Sequence, residues 1–158
     1  MPTCNTKGPV TVLGIDPGSQ RTGWGVVRTA SAGKEFSDRL ARIYHELSAI
    51  VARLKPDEAA IEQVFTAQNA ASALKLGQAR GVAVAACAAY GLVIRDYEPT
   101  LVKKSLVGTG RAEKEQVSFM VQRLLNVKNA DWGLDTSDAL AVAICHLTMR
   151  RFAALAGK

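Results

Sequence analysis

The sequence predicts a single α/β domain in which a central sheet is covered by helices, and three observations carry that prediction. Short β-branched runs close on acidic or turn residues and alternate with longer segments whose apolar residues recur every three and four positions. The 158 residues are 48% hydrophobic and 22% charged, enough for one real core. No internal repeat, low-complexity tract or linker divides the chain, so one domain is expected over residues 1–158 with its core between about 10 and 155.

The elements follow in order. Residues 10–15 are β-branched and end on Asp16-Pro17-Gly18, the signature of a buried strand closed by a tight turn. A second strand is read at 23–27. Over 38–54, Leu40, Ile43, Tyr44, Leu47, Ile50, Val51 and Leu54 fall on one helical face, and Pro56 ends the helix. Residues 58–64 form a strand that carries Glu62 near its end. An alanine-rich helix over 69–90 stops at Gly91, and its small residues Gly77, Ala79, Gly81, Ala83 and Ala85 permit close approach of another backbone. A third clear strand is predicted at 93–97. Pro99 then opens a short helix reaching about 106. Gly108 and Gly110 bracket a loop before a helix at 113–125, whose inner face is Val117, Met120, Val121 and Leu124. The last helix spans 135–155 with Leu140, Ile144 and Leu147 inward. Periodicity does not give the strand order.

Bulk properties narrow the function. Net charge is +6 and the pI about 9.5, which suits an anionic partner such as a nucleic-acid backbone. Cys4, Cys87 and Cys145 are odd in number and lack CxxC spacing, so neither a disulfide framework nor a thiolate zinc site is expected. The longest near-apolar run, 82–94, is roughly 13 residues where a membrane span needs about 20. A cytoplasmic protein in a reducing compartment is expected.

Four acids stand out. Asp16 leaves the end of a strand at a sharp turn, although Asp-Pro-Gly is also a natural turn sequence. Glu62 lies in the apolar run Ala59-Ala60-Ile61-Glu62-Gln63-Val64, where an ionised carboxylate is costly unless paired or bound to a cation, or unless it faces solvent. Asp135 and Asp138 open a helix three residues apart and so share a face; helix capping alone would account for Asp135. Gathered in one cleft, the four would repel one another unless a cation were present. Hard oxygen ligands select Mg²⁺, with Mn²⁺ as the alternative, over zinc. Two such ions in one site would support phosphodiester hydrolysis. Asp16, Glu62, Asp135 and Asp138 are thus the expected catalytic and metal-binding residues.

The string Gly14-Ile15-Asp16-Pro17-Gly18-Ser19, followed by Arg21-Thr22-Gly23-Trp24-Gly25-Val26, resembles the opening of the RuvC family of crossover (Holliday) junction endodeoxyribonucleases. The resemblance continues through Ile61-Glu62-Gln63-Val64-Phe65, Ala73-Leu74-Lys75-Leu76-Gly77-Gln78-Ala79-Arg80-Gly81, Val102-Lys103-Lys104, Val107-Gly108-Thr109-Gly110, Ala112-Glu113-Lys114 and Asp138-Ala139-Leu140-Ala141. It implies a ribonuclease H-like (retroviral integrase-like) fold with a mixed central sheet. It further implies a bacterial homodimer that nicks two opposed strands of a four-way DNA junction with Mg²⁺ during recombination and repair, beside a branch-migration complex of RuvA and RuvB. By position, Asp16, Glu62 and Asp138 match the family's metal-binding acids. Asp135 matches a fourth site that some members fill with histidine.

Lys103 and Lys114 match family lysines near the cleaved strand, and Phe65 matches an aromatic that stacks on junction bases. Between 103 and 128 there are six basic residues (Lys103, Lys104, Arg111, Lys114, Arg123, Lys128) against two acidic (Glu113, Glu115), so backbone contact is expected there, through Lys103, Lys104, Arg111 and Lys114. The small-residue helix corresponds to the family's dimer interface, or packs closely on its own sheet. His45 and His146 read as structural. Two rivals are a nuclease of the same fold that trims RNA and a junction-binding protein without activity. An actin-like ATPase would need a second phosphate loop and lobe. One departure is notable: only residues 28–37 fill the space where the family carries a β-hairpin. Either the hairpin is shortened, or residues are absent from the chain as written, which the unpaired sheet edge left by shortening favours.

Overall fold

The computed structural model of the protein describes residues 10–17, 21–24, 29–30, 35–63, 70–128 and 130–157. Strand β1 (Val12–Asp16) pairs antiparallel with β2 (Arg21–Trp24), which pairs antiparallel with β3 (Thr29–Ala30). On its other side β1 runs parallel to β4 (Glu58–Glu62), and β4 parallel to β5 (Val93–Tyr97), giving the order β3-β2-β1-β4-β5. Parallel neighbours need crossovers, supplied by α1 (Phe36–Leu54) and α2 (Ala70–Ala88). Both cover one face of the sheet. Helices α3 (Pro99–Val107), α4 (Lys114–Leu124) and α5 (Leu134–Ala156) cover the other.

Side chains alternate across a strand, so each strand feeds two cores. Leu13 and Ile15 of β1 and Ala59 and Ile61 of β4 pack under α1 and α2 with Ile43, Leu47, Ile50, Val51, Ala83 and Cys87. Ala60 and Tyr97 face the opposite layer with Val102, Leu106, Val117, Val121, Val142 and Cys145. Cys87 and Cys145 are free and lie in different layers. Entry to β1 and β4 is pinned by a reciprocal pair: Thr11 N–H donates to Asp57 Oδ2 at 2.8 Å, and Asp57 N–H to the Thr11 carbonyl at 2.9 Å.

Several helix faces depart from the sequence reading. Tyr44 and Leu54 of α1, Leu124 of α4 and Leu147 of α5 are exposed rather than inward. In α5 the buried face is made instead of Ala139, Ala141, Val142, Ala143, Cys145 and His146, with Leu140 and Ile144 only half-buried. The reason is close approach: a Cβ placed on Gly14 would land on the Ala139 carbonyl oxygen and 2.9 Å from Ala143 Cβ. Only small residues on α5 and no side chain at 14 let helix and strand meet.

Helix α5 is also long and apolar enough to cross a membrane by length and composition, unlike the run at 82–94. Here one face of it packs against the sheet, α3 and α4, while Leu147, Phe152 and Leu155 stay exposed. At the opposite edge, β3 gives the sheet its fifth strand within the short 28–37 stretch. Residues 28 and 31–34 of that stretch lie outside the described residues.

Candidate active site

Register brings the first two acids together. Ile15 of β1 lies beside Ile61 of β4, so Asp16 and Glu62, each the last residue of its strand, end up side by side on parallel neighbours. Because Ile15 and Ile61 point into the α1/α2 layer, Asp16 and Glu62 point to the α5 side. Asp16 sits two residues beyond Gly14, and Gly14 meets Ala139. Asp138 is therefore carried to the same strand ends.

The length of α5 fixes the other end of this contact. On the α5 side, β4 presents Glu58, Ala60 and Glu62, spanning about 13 Å at strand rise. His146 lies eight residues beyond Asp138, about 12 Å at helix rise, and its Nε2 meets Glu58 Oε2 at 2.8 Å. Helix and strand thus run antiparallel with matched lengths, Asp138 toward Glu62 and His146 at Glu58. Tyr97 hydroxyl lies 2.8 Å from His146 Nδ1, and Arg150 Nε donates to Glu58 Oε1 at 3.0 Å. A neutral His146 that donates from Nε2 and accepts at Nδ1 satisfies every partner, and burial holds its pKa below the usual value, against the pull of Glu58. His146 is structural, as the sequence suggested; His45 packs edge-on to Tyr44 at 5.8 Å on the outside of α1.

Electrostatics at the strand ends are strained toward neutrality. Glu62 is pushed from 4.5 up to about 8, first by burial, then by the negative charge of Asp16, by donating a hydrogen bond to it, and by Asp138. Asp16 is pushed from 3.8 up to about 6 by burial and Asp138, with Asp135 adding and Lys114 opposing. Both shifts favour the neutral carboxyl, Glu62 more than Asp16. Lys114 Nζ reaches Asp138 Oδ2 at 2.7 Å, and that bond raises its own pKa. A lysine in the first position of α4 opposes the helix dipole, so its placement there is explained by the acids it faces. The helix start is fixed by a capping box in which the Glu113 N–H donates to Gln116 Oε1 at 2.9 Å and the Glu113 side chain accepts from the Gln116 N–H.

Asp135 is not a helix cap: Gly133 holds the N-cap position of α5, and Asp135 lies one residue inside the first turn. Its charge acts on Asp16 and on Lys114. Asp16, Glu62, Asp135, Asp138 and Lys114 therefore form one electrostatic group. Lys103, half-buried on α3, and the exposed Lys104 and Arg111 are not among the groups that act on Asp16 or Glu62. Phe65 lies outside the described residues. Among the described residues no three His, Cys, Asp or Glu side chains stand close enough to chelate an ion together. Sequence reasoning missed Glu58, although a second glutamate at the same alternation as Glu62 was its signal. It also missed Trp132, Ser137 and Ser118, whose hydroxyls and indole meet beneath Asp138.

The sequence model of the family described as Crossover junction endodeoxyribonuclease RuvC matches residues 12–146, which include all four acids and α5 from its start to His146. The chain belongs to the RuvC family. A crossover junction endodeoxyribonuclease RuvC of Oleidesulfovibrio alaskensis is 64% identical, with 93% of this chain and 96% of that relative covered. That of Tolumonas auensis is 47% identical over 93% of this chain and 92% of its own length. The RuvC of Thermus thermophilus in complex with Holliday junction substrate superimposes with a TM-score of 0.84 at 29% identity, over 92% of this chain and 97% of that one. The ribonuclease H-like fold and the action of a Holliday-junction resolvase, an endodeoxyribonuclease of recombination and repair, follow from that membership. The RNA-trimming alternative is not favoured. The Oleidesulfovibrio alignment runs over 160 positions, more than the 158 residues of this chain, although only 93% of the chain takes part. That relative holds residues with no counterpart here, as a shortened hairpin and residues absent from the chain as written would equally leave.

Proposed function

We propose that Asp16, Glu62, Asp135 and Asp138 hold divalent cations, Mg²⁺ or Mn²⁺ and two to a site, and that with them the protein hydrolyses one phosphodiester in each of two opposed strands of a four-way junction. The observation that carries this is the group of acids at the ends of β1 and β4. Burial and neighbouring acids push the pKa of both Asp16 and Glu62 up, and the Lys114 ammonium already sits on Asp138. Such a site favours added positive charge, and its all-oxygen donor set suits hard ions. When bound, the ions supply a polarised phosphoryl oxygen and a water acidified for attack. Asp16 and Glu62 anchor the site at the ends of the adjacent inner strands β1 and β4. Asp138 and Asp135 complete it from α5, and Lys114 neutralises charge on the phosphate brought to it.

Substrate contact is assigned to Phe65 by base stacking and to Lys103, Lys104, Arg111 and Lys114 by phosphate neutralisation. A homodimer matches the two-fold symmetry of the cut, and α2 supplies a surface for it. Ala79, Ala83, Ala86 and Cys87 of α2 face inward, while Gly77 and Gly81 have open space beside them. The RuvA and RuvB branch-migration complex is the expected partner in a bacterial cytoplasm.

A labelled four-way junction and its linear duplex control, each with and without Mg²⁺, test this reading. Two nicked duplexes from the junction, in Mg²⁺ alone, are expected. Asp16→Asn is expected to bind the junction without cutting it. Equal cutting of junction and duplex, or cleavage in chelator, would defeat the proposal.

A further inference from the structure

Beneath the acids, the first turns of α4 and α5 are tied a second time. Trp132 Nε1–H donates to Ser137 Oγ at 2.9 Å, and Ser137 Oγ lies 3.0 Å from Ser118 Oγ. Gln122 Nε2 reaches Ser118 Oγ at 3.5 Å, one turn further along α4. Ser137 is fully buried and directly precedes Asp138. Ser118 is one turn beyond Lys114, on the same face of α4. The Ser118–Ser137 pair and the Lys114–Asp138 pair therefore stand one above the other across a single helix–helix seam.

Packing alone would not call for hydroxyls here. Alanine fills nearly the same space, and a buried hydroxyl is costly unless bonded. What two bonded hydroxyls add is direction: they are satisfied in one axial register of α4 against α5. A slip along the seam breaks them together with the Lys114–Asp138 contact. Van der Waals packing along helices tolerates small slips far better.

We infer that Ser118, Ser137 and Trp132 are positioning residues for junction cleavage, locking the register of α4 on α5 so that Lys114 and Asp138 meet the scissile phosphate together. This rests on the reading of Asp138 and Lys114 as parts of the cleavage site. Their loss acts through Lys114. It slows the chemical step and leaves junction binding in place.

The test is a double-mutant cycle on single-turnover cleavage of a four-way junction in Mg²⁺, with protein in excess. Ser118→Ala is expected to lower the rate about 10- to 100-fold, the range for supporting residues around a catalytic site. The junction Kd should change by less than about twofold and Ser118→Thr should restore most of the rate, whereas in a Lys114→Ala background Ser118→Ala should cost less than about twofold. Ser137→Ala should behave alike. If it fails to fold, as its burial allows, the half-buried Ser118 decides the matter. A wild-type rate for Ser118→Ala beside a slow Lys114→Ala overturns the clamp and spares the site. Penalties that multiply in full in the double variant show general destabilisation and also overturn it. A wild-type rate for Lys114→Ala removes the underlying reading of Lys114 and the clamp with it.

Discussion

At the scale of single residues, the half-buried Glu62 and the buried His146 titrate with opposite effects on stability. Glu62 ionises more readily in the unfolded chain, so it favours folding at acid pH and that contribution is lost as pH rises toward about 8. In chelator, Glu62→Gln should therefore raise Tm above wild type, and the gain should grow between pH 5 and 8. Discounted for partial exposure, it should reach on the order of 1 kcal/mol, or about 2–4 °C, at the alkaline end. A gain that is flat with pH would show that burial does not penalise this charge. His146 works the other way: its lowered pKa gives stability that is complete above its ordinary 6.5 and is lost as pH falls. Tyr97→Phe strips the hydroxyl from Nδ1 and should cost roughly 1–3 kcal/mol in urea unfolding at pH 7. No loss would mean that water replaces that donor. Glu62 and His146 were legible in the sequence as a costly acid and a structural histidine. Asp135 read two ways, because a helix-opening aspartate looks like a cap whether or not it is one. Ser118 and Ser137 gave no signal, since serine fits neither the apolar nor the charged side of a helical repeat.

At the scale of elements, the site depends on how closely α5 lies on β1. Gly14→Ala places a methyl against the Ala139 carbonyl and should cost about 1–3 kcal/mol by overpacking. It should slow junction cleavage more than the stability loss explains, because the helix that carries Asp138 must lift from the strand that carries Asp16. Cleavage at the wild-type rate in a folded Gly14→Ala protein would break that link. Strand and helix positions were largely readable, down to β5 at Val93–Tyr97. Which helix faces are buried was less so. A leucine stripe marks the inner face only where a helix has one neighbour, and α5 has the sheet, α3 and α4 around it. Strand β3 escaped notice because two residues carry no periodicity.

At the scale of the whole molecule, the basic segment from 103 to 128 is expected to set affinity for the junction. Lys103→Ala and Arg111→Ala should each weaken junction binding, and each should flatten the plot of log K against log salt by about 0.9. An unchanged slope would place those side chains away from the backbone. The sheet order could not be read from the pattern, since it is settled by which faces meet. Once it is known, the matched lengths of α5 and β4 set a rule about counting. Four strand steps from Glu58 to Glu62 lie along the eight helical steps between His146 and Asp138. Exchanging Ala60 for another small residue leaves that correspondence intact. Deleting any one residue between Glu58 and Glu62 turns the second glutamate to the far face of the sheet while the first stays with His146. Across this stretch the number of residues is under tighter constraint than most of their identities, and deletions there should be absent from any active variant.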